Sequence, residues 1–234
     1  MQVRLIQFLI LVLLISAAHA GTVLQVTLDT GAGSFVNPPG PFSLAFELTD
    51  GSGTRDGNNI VTMSNFQFGL GGGVVGAPFT SGSASGDLST SVALTDAQFD
   101  NIFFQGFTPG TILQFDLSLT TNVDPGGIPD EFIMSILDSS FSPLPTTSFS
   151  PLLPFLVIDI DSSNPTVQTF GSDPNQQPAA GGFPPPFLPA PVVTSISPDP
   201  GSTSISPVPE PSTGWICGIS LACLIALRVS AKLT

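Results

Sequence analysis

The feature that most constrains this chain is a strict two-residue apolar alternation, repeated at intervals between residues 21 and 170. Leu24, Val26 and Leu28 alternate with Gln25, Thr27 and Asp29. Phe42, Leu44, Phe46 and Leu48 alternate with Ser43, Ala45, Glu47 and Thr49. Leu113, Phe115, Leu117 and Leu119 alternate with Gln114, Asp116 and Ser118, and Leu156, Ile158 and Ile160 with Val157, Asp159 and Asp161. Successive side chains on a strand point to opposite faces, so this pattern predicts strands with one buried and one solvated face. Weaker alternation marks further strands at Ile60–Phe68, Leu88–Thr95, Ile102–Phe107, Phe132–Leu137 and Thr166–Phe170.

Turn-formers separate the runs: Asn37-Pro38-Pro39-Gly40, Asp56-Gly57-Asn58-Asn59, Gly71-Gly72-Gly73, Thr108-Pro109-Gly110 and Asp124-Pro125-Gly126-Gly127. No long stretch has a 3.6-residue apolar period. Eight or nine one-sided strands predict an all-β domain, an antiparallel β-sandwich of jelly-roll-like form, over residues 21–170. Phenylalanine supplies most of the core bulk, and it brings no polar atom that would need a buried partner.

Both ends of the chain read differently. Residues 1–20 form a secretory signal peptide: Arg4 gives the positive start, Leu5 to Ile15 the apolar core, and Ala18-His19-Ala20 the cleavage site for signal peptidase. From Gly171 to Pro207 there are 10 prolines in 37 residues, a composition expected to form a solvated, semi-rigid linker. Residues 208–234 hold a rigid Pro209-Glu210-Pro211, an apolar run from Gly214 to Leu227 and a basic end, Arg228 and Lys232. The run has 14 residues and reaches 18 when Arg228 snorkels and Val229 to Ala231 are included. At 1.5 Å per residue that is roughly 27 Å, enough for a single apolar helix to span a bilayer. The basic end should stay on the cytoplasmic side and orient the helix.

That order of motif, helix and basic cluster resembles the PEP-CTERM sorting signal, which exosortases read and process in Gram-negative bacteria. The resemblance implies that Pro209, Glu210 and Pro211 are the recognition element and that Arg228 and Lys232 set membrane orientation. It implies a precursor anchored in the inner membrane, then a product on the cell surface or outside the cell. Thr62 to Gly69, Gln105 to Gly110, Leu117 to Gly127 and Ile158 to Phe170 also resemble a group of PEP-CTERM proteins of unassigned function, and this implies no activity. A plain C-terminal anchor is the competing reading of the same tail.

Charge and residue inventory bound the chemistry. The chain carries 17 acids and 4 cations, for a net charge of −13. All 17 acids lie between Asp29 and Glu210, and Arg55 is the one cation in that stretch, so the body carries −16. Such a surface repels nucleic acid. Cys217 and Cys223 sit in the tail and His19 in the leader, so the body has no His, Cys, Lys or Tyr to serve as base or activated nucleophile. This inventory argues against an enzyme. Hard oxygen donors are plentiful, which makes calcium the one candidate cofactor. Its candidate ligands are Asp159, Asp161 and Asn164 at a strand end, Asp124, Asp130 and Glu131 around a Pro-Gly-Gly turn, and a loop with Asp50, Asp56, Asn58 and Asn59. The same residues also serve as ordinary turn formers. The expected role is structural or adhesive in the surface or extracellular polysaccharide matrix. The alternative is a calcium-dependent carbohydrate-binding module, against which the lack of Trp and Tyr in the body weighs.

Overall fold

The computed structural model describes residues 21–31, 41–123, 127–161, 165–173 and 188–196. The expected signal peptide, sorting motif and tail helix, with Arg228 and Lys232, all lie outside the described residues, as do Asp124 and Asn164. The described residues belong to one compact unit that ends at Ser197.

Twelve strands and no helix are found among the described residues. They are β1 (Thr22–Asp29), β2 (Phe42–Thr49), β3 (Ile60–Gln67), β4 (Gly73–Ser81), β5 (Ala84–Gly86), β6 (Ser91–Thr95), β7 (Asp100–Thr108), β8 (Ile112–Leu119), β9 (Asp130–Leu137), β10 (Leu156–Ile160), β11 (Thr166–Thr169) and β12 (Val192–Ser195). They build two antiparallel sheets, ordered β12-β1-β8-β3-β6-β5 and β11-β10-β9-β2-β7-β4. The chain therefore crosses between sheets repeatedly and brings distant residues into register. Val26, for example, lies opposite Phe115.

The alternation decides what is buried. Leu24, Val26 and Leu28 of β1, Phe42, Leu44, Phe46 and Leu48 of β2, and Leu113, Phe115, Leu117 and Leu119 of β8 all enter the core. The two sheets meet through their phenylalanines. Phe46 of the second sheet lies 5.6 Å from Phe115 of the first, edge to face, and 6.2 Å from Phe66. Phe103 and Phe132, on the strands flanking β2, stack against Phe46 at 6.0 and 5.9 Å.

One irregularity keeps β3 in this core. Val61 and Met63 point inward, and the next inward residues are Phe66 and Phe68, a phase change of one residue. The ladder to β8 shifts register between Ser64 and Gln67, and Asn65 there has φ 56°. Asparagine tolerates that left-handed conformation, and its side chain fastens the bulge by donating to Asp116 Oδ2 at 2.7 Å.

The expected linker needs correction where it is described. Leu188 is 1% exposed and belongs to the core, and β12 pairs with the free edge of β1. Ser172 donates its N–H to the Leu188 carbonyl at 2.9 Å, and the Leu188 N–H donates to Ser172 Oγ at 3.1 Å. The sandwich thus continues past residue 170, at least to Ile196. A strand of four residues at a sheet edge has one side free of ladder bonds, so prolines can flank it. The glycines at Gly71–Gly73, read above as turn-formers, close a tight turn. The Gly72 N–H donates to the Gly69 carbonyl, and a Cβ on Gly72 would lie 2.5 Å from the Phe68 carbonyl oxygen.

Candidate functional site

Register fixes which chain ends share a pole of the sandwich. β1 starts where β8 ends, since Thr22 faces Leu119, and β3 starts there too, since Val61 also faces Leu119. β12 ends at the same pole, where Ser195 faces Leu24 and the Ile196 N–H donates to the Val23 carbonyl at 3.0 Å. From this pole the Asn59 side chain reaches the second sheet at Asp130, which in turn holds Gly51 beside Asp50. Gly21 and Ile196 are therefore neighbours at one end of the molecule.

That pole is lined with acids and amides held by one another. Asn59 donates its side-chain amide to Asp130 Oδ2 at 2.8 Å and to the Asn122 carbonyl at 2.8 Å, and its backbone N–H to Asp96 Oδ1 at 3.1 Å. Its own side-chain oxygen accepts the Asn122 N–H at 2.9 Å. Asp130 Oδ1 takes the Gly51 N–H at 3.0 Å, and Asp50 accepts the N–H groups of Gly53 and Arg55. Asp50, Asn59, Asp96 and Asp130 are all buried. Burial pushes the Asp96 carboxyl up to about 7, and the negative charge of Asp130 beside it adds to the rise, as does that of Asp56, while the Asn59 N–H opposes it. These carboxylates spend their acceptor capacity on the protein's own loops. Their evident work is to tie the β2–β3 and β8–β9 connections to the two sheets.

A second carboxylate group faces outward. Direct pairing across the second sheet aligns Asp159 of β10 with Glu131 of β9, Glu131 with Thr49 of β2, and Thr49 with Asp100 of β7. Glu47 lies one outward position further along β2. Burial raises the Glu47 carboxyl, and Asp100 and Glu131 raise it further, against a hydrogen bond from Thr49. Burial and then Asp159 raise Glu131. Ile128, Pro129 and Phe99 flank this row, and with Glu131 and Asp159 they enclose an open groove of about 310 Å³.

On the same outward face, an aromatic ledge follows the carboxylates. Phe79 of β4 lies opposite Phe104 of β7, with ring centroids 4.6 Å apart and planes at 20°. Phe141 leans on Phe104 at 5.4 Å from the turn after β9. Phe79 is 49% exposed and Phe141 61%. Phe141 has φ 59°, a conformation that costs a bulky L-residue about 1–2 kcal/mol. Its turn is held by Asp138, whose Oδ1 accepts the N–H groups of Ser140 and Ser142.

The candidate residues regroup accordingly. Asp130 and Glu131 are adjacent in sequence and so point to opposite faces of β9, one buried among amides and the other outward. The outward neighbour of Glu131 is Asp159, from a different expected cluster. Asp161 lies beyond the end of β10, where Thr166 Oγ1 donates to its Oδ2 at 3.3 Å. Asp56 accepts from the backbone and side chain of Asn58, an ordinary turn device. Among the described residues, no group of three or more His, Cys, Asp or Glu side chains is arranged to hold a metal ion. Sequence reasoning missed Asp96, Glu47 and the Phe79–Phe104 ledge. Asp96 and Glu47 do not lie in any acidic run, and Phe79 follows Pro78 in a strand without alternation. A third region, an open cleft of about 360 Å³ between β11 and the β1–β12 edge, carries no ionisable side chain.

No protein-family model, no curated protein and no solved structure matches the chain.

Proposed function

We propose that the chain is an exported, non-catalytic β-sandwich of the cell envelope, sorted and processed by an exosortase, with a structural or adhesive role in the extracellular polysaccharide matrix. The observation that carries this reading is the pairing of Val23 with Ile196. The segments that follow the signal peptide and precede the Pro209-Glu210-Pro211 tail leave the domain side by side, so tethering at either end holds it by one pole. The outer faces of both sheets then stay available to the matrix. The strand order supports the jelly-roll-like part of the reading: β1-β8-β3-β6 lies against β2-β7-β4, with β5 and β9 to β12 added at the edges.

Intact-mass measurement on envelope and medium fractions of the native host tests the sorting step. The mature protein should lack residues 1–20 and the tail helix. A main species that still contains Trp215, or unchanged processing in a host lacking its exosortase, overturns it. A second reading, the carbohydrate-binding module, gains support from the exposed Phe79–Phe104 ledge. Calcium remains a proposal within it, with Glu131 and Asp159 as the facing carboxylates.

A further inference from the structure

The aromatic ledge and the outward carboxylates form one continuous strip. On a strand face, neighbouring outward positions are two residues, roughly 7 Å, apart. Along β7 the outward positions run Phe104, Ile102, Asp100. Glu47 lies opposite Ile102, one rung from the Phe79–Phe104 stack, and Asp100 opens the next rung with Glu131 two strands away. Arg55 is the only Lys, Arg or His among the described residues, and it lies on the β2–β3 loop. The strip therefore pairs an exposed flat aromatic surface with negative charge for which the sheet supplies no cation.

We propose that this strip docks a cationic amino-sugar polymer, a chain of hexosamine units with free ammonium groups. The proposal rests on the matrix reading above and names its ligand. A pyranose ring has an apolar face of C–H groups that seats on an exposed phenyl ring, and the ammonium meets the carboxylates and the ring faces. A neutral polysaccharide would leave the carboxylates uncompensated, and an acidic one meets repulsion from a body with sixteen more acids than bases. A basic peptide would bind most readily by adding a strand to the free edge of β4. That edge is spoiled for pairing by Pro78 and by the register shift between Val75 and Phe79.

The test uses the full chain, purified in detergent, and calorimetric titration with glucosamine oligosaccharides, their fully N-acetylated counterparts and oligolysine of matched charge. The glucosamine oligomer should bind, and raising salt from about 50 to about 300 mM should weaken it several-fold. The acetylated oligomer should bind at least roughly tenfold more weakly. Phe79→Ala, and separately Glu47→Gln with Asp100→Asn, should each weaken binding roughly tenfold in a protein that still melts cooperatively. Absence of glucosamine binding, equal binding of the acetylated oligomer, or tighter binding of oligolysine each overturns the proposal. The acetylated control needs no variant, so a misfolded mutant leaves the test intact. Sorting and matrix localisation are read separately in the host, so failure here is distinguishable from failure of that reading.

Discussion

The side-chain amide of Asn59, just before β3, donates to Asp130 Oδ2 at the start of β9, 2.8 Å away across the gap between the sheets. The partners are 71 residues apart in sequence. Because the Asn59 backbone also binds Asp96, one residue gathers two buried carboxyl groups, whose mutual repulsion raises Asp96 and is relieved when Asp96 takes a proton.

Stability should therefore fall as pH rises. A carboxyl raised from 3.8 in the unfolded chain to about 7 in the fold binds its proton more tightly when folded. Its contribution is complete below the unfolded value and is lost as pH climbs through the folded one. Glu47 and Glu131, also raised, act with the same sign. At 1.36 kcal/mol per unit the Asp96 shift alone sets a ceiling of about 4 kcal/mol, which solvent screening at this pole lowers to on the order of 2 kcal/mol. Urea midpoints between about pH 4 and about pH 8 should show the decline. Asp96→Asn keeps an acceptor for the Asn59 N–H and should flatten most of it. A wild-type midpoint that rises over this range sinks the argument.

The core register predicts a sharp contrast between neighbours. Phe115 is 0% exposed and packs on Phe46 and Phe66 at 5.6 and 5.4 Å. Phe115→Ala should cost about 3–5 kcal/mol. Gln114 points the other way, toward Thr27 and Gln67 on the outer face. Gln114→Ala should stay within about 0.5 kcal/mol. Chemical denaturation of the two variants checks this, and equal shifts contradict the observed facing.

The strands legible in the sequence were those with two unlike faces. β1, β2, β8 and β10 show it plainly, since each turns one alternating row of apolar side chains into the core. β4 and β12 did not show it because they are edge strands. β4 contains Gly76 and Pro78 and has no alternating burial, and β12 is four residues set among prolines. The acids were visible as residues but not as partners. A crossover between sheets brings Asp96 to Asp130, the antiparallel pairing of β9 with β10 brings Asp159 to Glu131, and no local spacing encodes either meeting. Asp130 and Glu131 illustrate the limit: adjacency suggested one site, and strand alternation sends them to opposite faces.

Glycine at residue 51 should be required for a reason that Gly53 does not share. A Cβ on Gly51 would fall 2.0 Å from the Pro129 carbonyl oxygen and 2.6 Å from that of Ile128, both rigid backbone. Gly51→Ala must push the β8–β9 connection away and strain the bond to Asp130, at about 1–3 kcal/mol or more. Gly53 has φ 72° but open space around it, so Gly53→Ala should cost only about 1 kcal/mol of backbone strain. Thermal melts that rank Gly53→Ala as the worse variant contradict the close approach.

The last prediction separates a spacer from a structural strand. If residues beyond 170 were only solvated linker, a chain ended after Phe170 would be as stable as one ended after Ile196. The structure implies otherwise on two counts. Leu188 fills core space at 1% exposure, and emptying such a site costs about 2–5 kcal/mol. β12 caps the edge of β1 through four register pairs, from Leu24–Ser195 to Thr27–Val192. Without it, β1 presents an unpaired edge with alternating apolar side chains, a template for edge-to-edge association. The shorter chain, Gly21 to Phe170, should unfold at lower urea by at least about 2 kcal/mol and elute partly as higher oligomers on size exclusion. In the longer chain Leu188→Ala should reproduce the stability loss but not the association, because β12 still covers β1. Equal urea midpoints for the two truncations would return this segment to the role of a spacer.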